Sequence, residues 1–131
     1  MILDTTVVVA GERGQLQLDA IVADDDDVAI AAVTAAELLV GVELAGEAHR
    51  SRRQQLVDAV LASIPIEDYD LDVARSHALL LAHTRRSGRR RGAHDLVIAA
   101  TALARGRIVV TADQRGFADL PGVAARPVAG S

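Results

Sequence analysis

With 131 residues, a net charge of −4 and half of its side chains apolar, the chain has the size and composition of one globular domain, which excludes a disordered chain. Its two aromatics, Tyr69 and Phe117, leave the core to Leu, Val, Ile and Ala and argue against an aromatic platform for stacked bases. The absence of cysteine excludes disulfides and thiolate metal sites, and the absence of lysine disfavours a P-loop nucleotide site and the phosphate-sensing lysine of a response-regulator receiver.

Met1 to Gly11 has no basic leader region, and its apolar run is too short for a bilayer, so a soluble, cytoplasmic protein without membrane contact is expected. Met1-Ile2-Leu3 running into Asp4 reads as the edge of a buried strand, with Val7 to Ala10 continuing apolar into the turn-like Gly11-Glu12-Arg13-Gly14. Leu16, Leu18, Ile21 and Val22 suggest a short helix, Asp24 to Asp27 a solvated connector, and Val28 to Ala31 a second strand. Thr34-Ala35-Ala36-Glu37 has the form of a capping box and opens a helix to about Ala45. A further helix is expected from His49 to Ala62, with a short strand at Ile64-Pro65-Ile66. Asp70 or Asp72 starts a long helix that ends near Ser87-Gly88. Asp95 begins a strongly apolar helix, Leu96 to Ala104, closed by Gly106, and Ile108 to Thr111 is the clearest strand of the chain. No repeat or linker interrupts the chain. A single domain over 1–131 is expected, with roughly 124–131 as a C-terminal tail and a three-layer α/β/α architecture around a mostly parallel sheet.

Ligands of such sheets collect at the carboxyl ends of the strands. Asp4 and Asp113 both follow predicted strands, and Glu37 follows the second strand directly, so a right-handed crossover brings it to the same edge. Asp95 has no such argument, because the helix before it can deliver it from either side. Carboxylates gathered in one cleft repel each other, and a hard cation such as Mg²⁺ relieves that repulsion with oxygen ligands alone. A cation so held activates water and stabilises charge on a phosphodiester. Charge is also segregated: Arg85, Arg86, Arg89, Arg90 and Arg91 cluster, and Arg50, Arg52 and Arg53 form a second group, so a local positive surface coexists with an acidic total.

Four segments then carry a family resemblance. Met1-Ile2-Leu3-Asp4-Thr5-Thr6, Thr34 to Val42 around Glu37, His94 to Leu103 around Asp95, and Val110 to Phe117 around Asp113 resemble, in order, the acid-bearing segments of PIN-domain proteins. The likeness spans Met1 to about Val123, and the chain is most similar to the VapC-type toxins of type II toxin–antitoxin pairs. The resemblance implies a Mg²⁺-dependent (or Mn²⁺-dependent) endoribonuclease leaving a 5′-phosphate and a 3′-hydroxyl. It also implies a VapB-like antitoxin partner and a homodimer. Asp4 and Asp95 would be the primary metal ligands, with Glu37 and Asp113 completing the site or orienting the attacking water. Ser87 to Ala93, rich in arginine and without proline, departs from the compact Gly and Pro lead-in of many relatives.

Each residue also has an ordinary reading. Glu37 completes a capping box, Asp95 favours a helix dipole, and Asp113 serves a turn. Asp4 is the hardest to explain that way, because an acid in an apolar run needs compensation. Thr6 and Thr111 either orient a ligand carboxylate or are satisfied core hydroxyls. Arg89, Arg90 and Arg91 either contact RNA or form a solvated loop. The histidines at 49, 77, 83 and 94 have no zinc spacing, and His94 does not share a helix face with Asp95. The rival functions are a catalytically silent RNA-binding module, a metal-dependent phosphatase and a DNA nuclease.

Overall fold

The computed structural model describes residues 1–12 and 27–128. In chain order it contains β1 (Ile2–Leu3), α1 (Thr5–Glu12), β2 (Ala29–Ala31), α2 (Ala32–Leu44), α3 (Glu47–Ser63), β3 (Ile66–Glu67), α4 (Leu71–Ser87), α5 (Ala93–Arg105), β4 (Val109–Thr111), a 3-10 turn (Gln114–Gly116) and β5 (Ala125–Pro127). The strands form one sheet in the order β3-β2-β1-β4-β5, and every pairing is parallel. The short apolar run at the N-terminus therefore becomes the middle strand, with Leu3 level with Ile30 on one side and Val110 on the other.

Side chains alternate across the sheet and divide the core between its two faces. Leu3, Ile30 and Val110 turn towards α1, α2 and α3, where Val7, Val8, Leu38, Val42 and Val57 are buried with them. Ile2, Ala31 and Val109 turn the other way and meet Val73 and Leu80 of α4, Leu96 and Ile98 of α5, and Phe117. Helices thus cover both faces of a parallel sheet, the three-layer α/β/α arrangement expected from the order of elements.

Four local expectations are corrected. Val7 to Ala10 do not prolong the first strand but lie in α1. A run of β-branched residues disfavours a helix, yet Asp4 accepts the Thr6 and Val7 amides at 2.7 and 3.3 Å and so caps its first turn. Complete burial of Val7 and Val8 outweighs their propensity. The capping box is absent: α2 starts at Ala32, its N-cap Ala31 makes no side-chain bond, and Thr34 is buried within the helix. The strand placed at Ile64 to Ile66 is Ile66–Glu67, while Pro65 meets the sheet only through its carbonyl, which accepts the Ile30 amide at 3.0 Å. Beyond Val123, where a tail was expected, Ala125–Pro127 adds an edge strand to β4. Its proline is tolerated there because an edge needs no further donor.

Asp70 caps α4 by accepting the Val73 amide at 3.0 Å, and Gly88, with φ 70°, ends that helix in the left-handed conformation. The expected short helix around Leu16 to Val22, the turn residues Arg13 and Gly14, and Asp24 to Asp26 lie outside the described residues.

Candidate active site

The carboxyl ends of β1, β2 and β4 share one edge of the sheet, and four acids lie near it. Asp4 follows β1 and is only 2 % exposed. Its Oδ1 accepts the Thr6 amide, the Val7 amide and the Thr6 hydroxyl, the last at 2.5 Å, and its Oδ2 accepts the Thr111 hydroxyl at 2.5 Å. This web of donors offsets the cost of placing a carboxylate among apolar neighbours. It also ties the acid to β4: Thr111 Oγ1 accepts the Asp113 amide at 2.9 Å, and Thr6 Oγ1 accepts the Ala112 amide at 3.3 Å. Thr6 and Thr111 are therefore hydrogen-bonded to an acid of the site, not to unrelated core groups.

Glu37 lies in the second turn of α2. Its Oε1 accepts the Thr5 hydroxyl at 2.9 Å and stands 3.3 Å from His94 Nδ1. Asp95 is in the first turn of α5, half-buried against two glycines. A β-carbon at Gly116 would lie 2.7 Å from Asp95 Oδ2, and one at Gly92 3.2 Å from it, so the missing side chains make room for the carboxylate. Asp113 follows β4, is exposed, and accepts the Arg115 amide at 3.2 Å as the cap of the 3-10 turn. The Arg115 Nε lies 3.5 Å from the same carboxylate on the solvent side.

Asp4, Glu37 and Asp95 line a cleft of about 240 Å³ together with Thr5, Thr6 and His94. Asp113 stands outside that lining, at the rim. The acids nevertheless share one field. Burial pushes the Asp95 carboxyl above its ordinary range, and the charges of Asp4, Asp113 and Glu37 push it further, with His94 opposing them weakly. A group of this kind in a cleft marks a functional site on physical grounds.

The oxygen-only donor set suits a hard divalent cation, and the unrelieved repulsion on Asp95 is what such an ion would remove. Among the described residues, however, no three acidic or histidine side chains already converge as a ligand set. Asp4 has both oxygens engaged, Glu37 leans on Thr5, and Asp113 turns to its own loop. The chemistry of the residues fits the ion.

The arginine-rich loop divides by role. Arg91 donates to the Arg115 carbonyl at 2.7 Å and to the Ala118 carbonyl, bracing the loop after β4. Arg89 pairs with Asp119 at 2.7 Å, and Arg90 stands exposed. Residue-by-residue reading missed three parts of the cleft: Thr5, His94 and the Gly92/Gly116 recess. The signal for Thr5 was its place beside Asp4 in the Met1–Thr6 segment that carries the family resemblance. His94 reaches Glu37 on another helix, a contact that spacing along α5 does not show.

Residues 1–123 match the family described as the PIN domain. A protein of Mycobacterium tuberculosis named ribonuclease VapC5 is 40 % identical over 126 residues, covering 94 % of this chain and 89 % of that protein. A Salmonella typhimurium protein named tRNA(fMet)-specific endonuclease VapC is 33 % identical over 96 residues, covering 72 % of this chain and 70 % of that protein. Among solved structures, VapBC-5 of Mycobacterium tuberculosis, described as a member of the VapBC family of toxin–antitoxin systems, superposes with a TM-score of 0.79 at 35 % identity, covering 97 % of each chain.

Proposed function

This chain belongs to the PIN-domain family and, within it, to the VapC group, and from that premise we propose that it is a divalent-metal-dependent endoribonuclease, the toxin of a type II toxin–antitoxin pair. The observation that carries the reading is the cleft at the sheet edge that Asp4, Glu37 and Asp95 line together, where burial and the charges of Asp4, Asp113 and Glu37 raise the Asp95 carboxyl. The names of the relatives, ribonuclease and endonuclease, support RNA as the substrate.

In this reading Asp4 and Asp95 are the primary ligands of one or two Mg²⁺ ions, with Mn²⁺ as a substitute, and Glu37 and Asp113 complete the site. When bound, the cation would supply positive charge for the phosphodiester's developing negative charge and lower the pKa of water so that it gives up a proton and becomes the nucleophile. The chain's own residues do the rest. Thr6, Thr111 and the first amides of α1 hold Asp4 in one orientation. Glu37, held by one oxygen, turns its other oxygen to orient the attacking water and accept its proton. Exposed Arg90, with Arg85 and Arg86 at the end of α4, draws the RNA backbone towards the cleft. The partners proposed with this activity are a VapB-like antitoxin, after the toxin–antitoxin system of the Mycobacterium tuberculosis structure, and a second copy of the chain. Among the described residues no helix is long and apolar enough to cross a membrane, and the place of action proposed is the cytoplasm.

The test is cleavage of total cellular RNA by the purified protein with Mg²⁺, with EDTA, and with Asp4→Asn. Asn is the better replacement, because Asp4→Ala would leave the Thr6 and Thr111 hydroxyls and the α1 amides without an acceptor, at a cost of roughly 1–3 kcal/mol. Discrete cuts that require both the ion and Asp4 are expected. RNA bound but uncut would overturn the nuclease in favour of a silent binding module. Parallel assays on DNA and on a chromogenic phosphoester separate the remaining chemistries of the same site.

A further inference from the structure

Thr5 lies between two hydrogen-bonding partners from another helix. Its hydroxyl is 2.9 Å from Glu37 Oε1 and 3.1 Å from the Thr34 hydroxyl. A hydroxyl has one proton to donate. Glu37, as a carboxylate, only accepts, so the Thr5 proton goes to Oε1. The 3.1 Å contact must then be made with the proton of Thr34. Thr34 is completely buried, which makes a lost partner costly. The result is a directed chain, Thr34 to Thr5 to Glu37, in which α2 leaves through Thr34 and returns through Glu37 by way of a residue at the start of α1. His94 Nδ1 stands near the same Oε1 from α5. Both the Thr5 hydrogen bond and the His94 contact of the Glu37 carboxylate fall on Oε1.

We infer that Thr5 is a positioning residue: its hydroxyl, oriented by Thr34, pins Glu37 by Oε1 and so leaves Oε2 for cation and water. The inference rests on the ribonuclease reading for its catalytic consequence, and on hydrogen-bond geometry alone for its structural one. Thr5 contributes no ligand itself. It removes the side-chain freedom that Glu37 would otherwise lose on each turnover.

The experiment compares the full chain with Thr5→Val, Thr5→Ser, Thr34→Val and the Thr5→Val/Thr34→Val pair. Two quantities are read: RNA cleavage, separated into kcat and KM, and the rise in Tm on adding Mn²⁺, measured from each variant's own Tm in EDTA. Thr5→Val preserves shape and removes the hydroxyl. It should lower kcat by about 10-fold with KM unchanged and shrink the Mn²⁺ shift. Thr5→Ser should restore most of both. Thr34→Val should reproduce part of the loss, and the double variant should be no worse than Thr5→Val, because both changes break one chain. Equal loss in Thr5→Ser and Thr5→Val would overturn the relay in favour of packing, as would additive losses in the double variant. An unchanged Mn²⁺ shift together with an unchanged kcat in Thr5→Val would overturn it outright. If the unsubstituted chain fails to cut RNA, the ribonuclease reading falls, and the Mn²⁺ shifts of the same variants still decide the relay.

Discussion

The two ends of α5 handle charge in opposite ways. At its start, Asp95 sits half-buried near three other carboxylates, which raise its pKa after burial has done so. At its end, Arg105 pairs with Glu67 at 3.1 Å and Asp70 at 2.7 Å, and Arg107 joins Glu67 at 2.8 Å and Asp27 at 2.5 Å. Both ends obey the helix dipole, with an acid at the amino end and a cation at the carboxyl end. They differ in compensation. The far cluster matches each acid with a guanidinium and ties β3, the entrance to β2 and the end of α5 together. The near cluster leaves repulsion in place, the condition in which a site gains by taking up a cation.

This contrast predicts that activity and stability separate along one helix. Asp95→Asn should lower RNA cleavage by ~100-fold while raising the Tm in EDTA, since it removes a charge held against its neighbours. Mg²⁺ should raise the Tm of the parent chain and leave that of the variant nearly unchanged; a variant less stable than its parent in EDTA would break the comparison. At the other end, Glu67→Ala removes the acid that Arg105 and Arg107 share and leaves each arginine one partner, Asp70 and Asp27. Solvent screening keeps the expected loss to about 0.5–1 kcal/mol, roughly 2–4 °C in Tm, with cleavage by the folded protein retained.

The two ends should also differ in the sign of their pH dependence, measured by unfolding in EDTA. The folded chain keeps a proton on Asp95 that the unfolded chain has already released. Stability from this group therefore falls as pH rises from about 4 to the raised value, and Asp95→Asn abolishes the slope. Glu67 is the reverse. Partial burial works to raise its carboxyl, but hydrogen bonds and charge from Arg107 and Arg105 outweigh it and hold it below the ordinary range. Asp70 is lowered by the Val73 amide and by Arg105. The stability these two contribute is complete above about pH 4.5 and is lost as pH falls through their lowered values.

The smallest expected effect concerns the loop entering α5. Arg90→Ala should weaken RNA binding a few-fold and make its salt slope shallower by about 0.7. Arg91→Ala should leave that slope alone and reduce turnover, because Arg91 braces the loop that follows Asp113. Identical salt effects from both variants would return Arg91 to the RNA surface.

Strand ends were the legible part of the site. An apolar run stopping at Asp4, another leading into the helix of Glu37, and a third stopping short of Asp113 put those acids on one edge by the handedness of parallel crossovers. Asp95 could not be placed that way, and only the return of α5 across the sheet brings it near Asp4. The start of α2 misled for a local reason: Thr34 has the right spacing from Glu37 for a capping box, but burial gives its hydroxyl a partner on α1 instead.

The amino-acid sequence by itself determined the alternation of elements, the apolar strands at the centre of the sheet and the acids at their ends, because these follow from short-range periodicity and chain chirality. Tertiary structure alone decided that Val7 to Ala10 are helical, that Ala125–Pro127 becomes a strand, and that Thr5, Gly116 and His94 border the acids. Each of these depends on a partner distant in the chain, whose hydrogen bond or buried surface outweighs what the neighbours in sequence prefer.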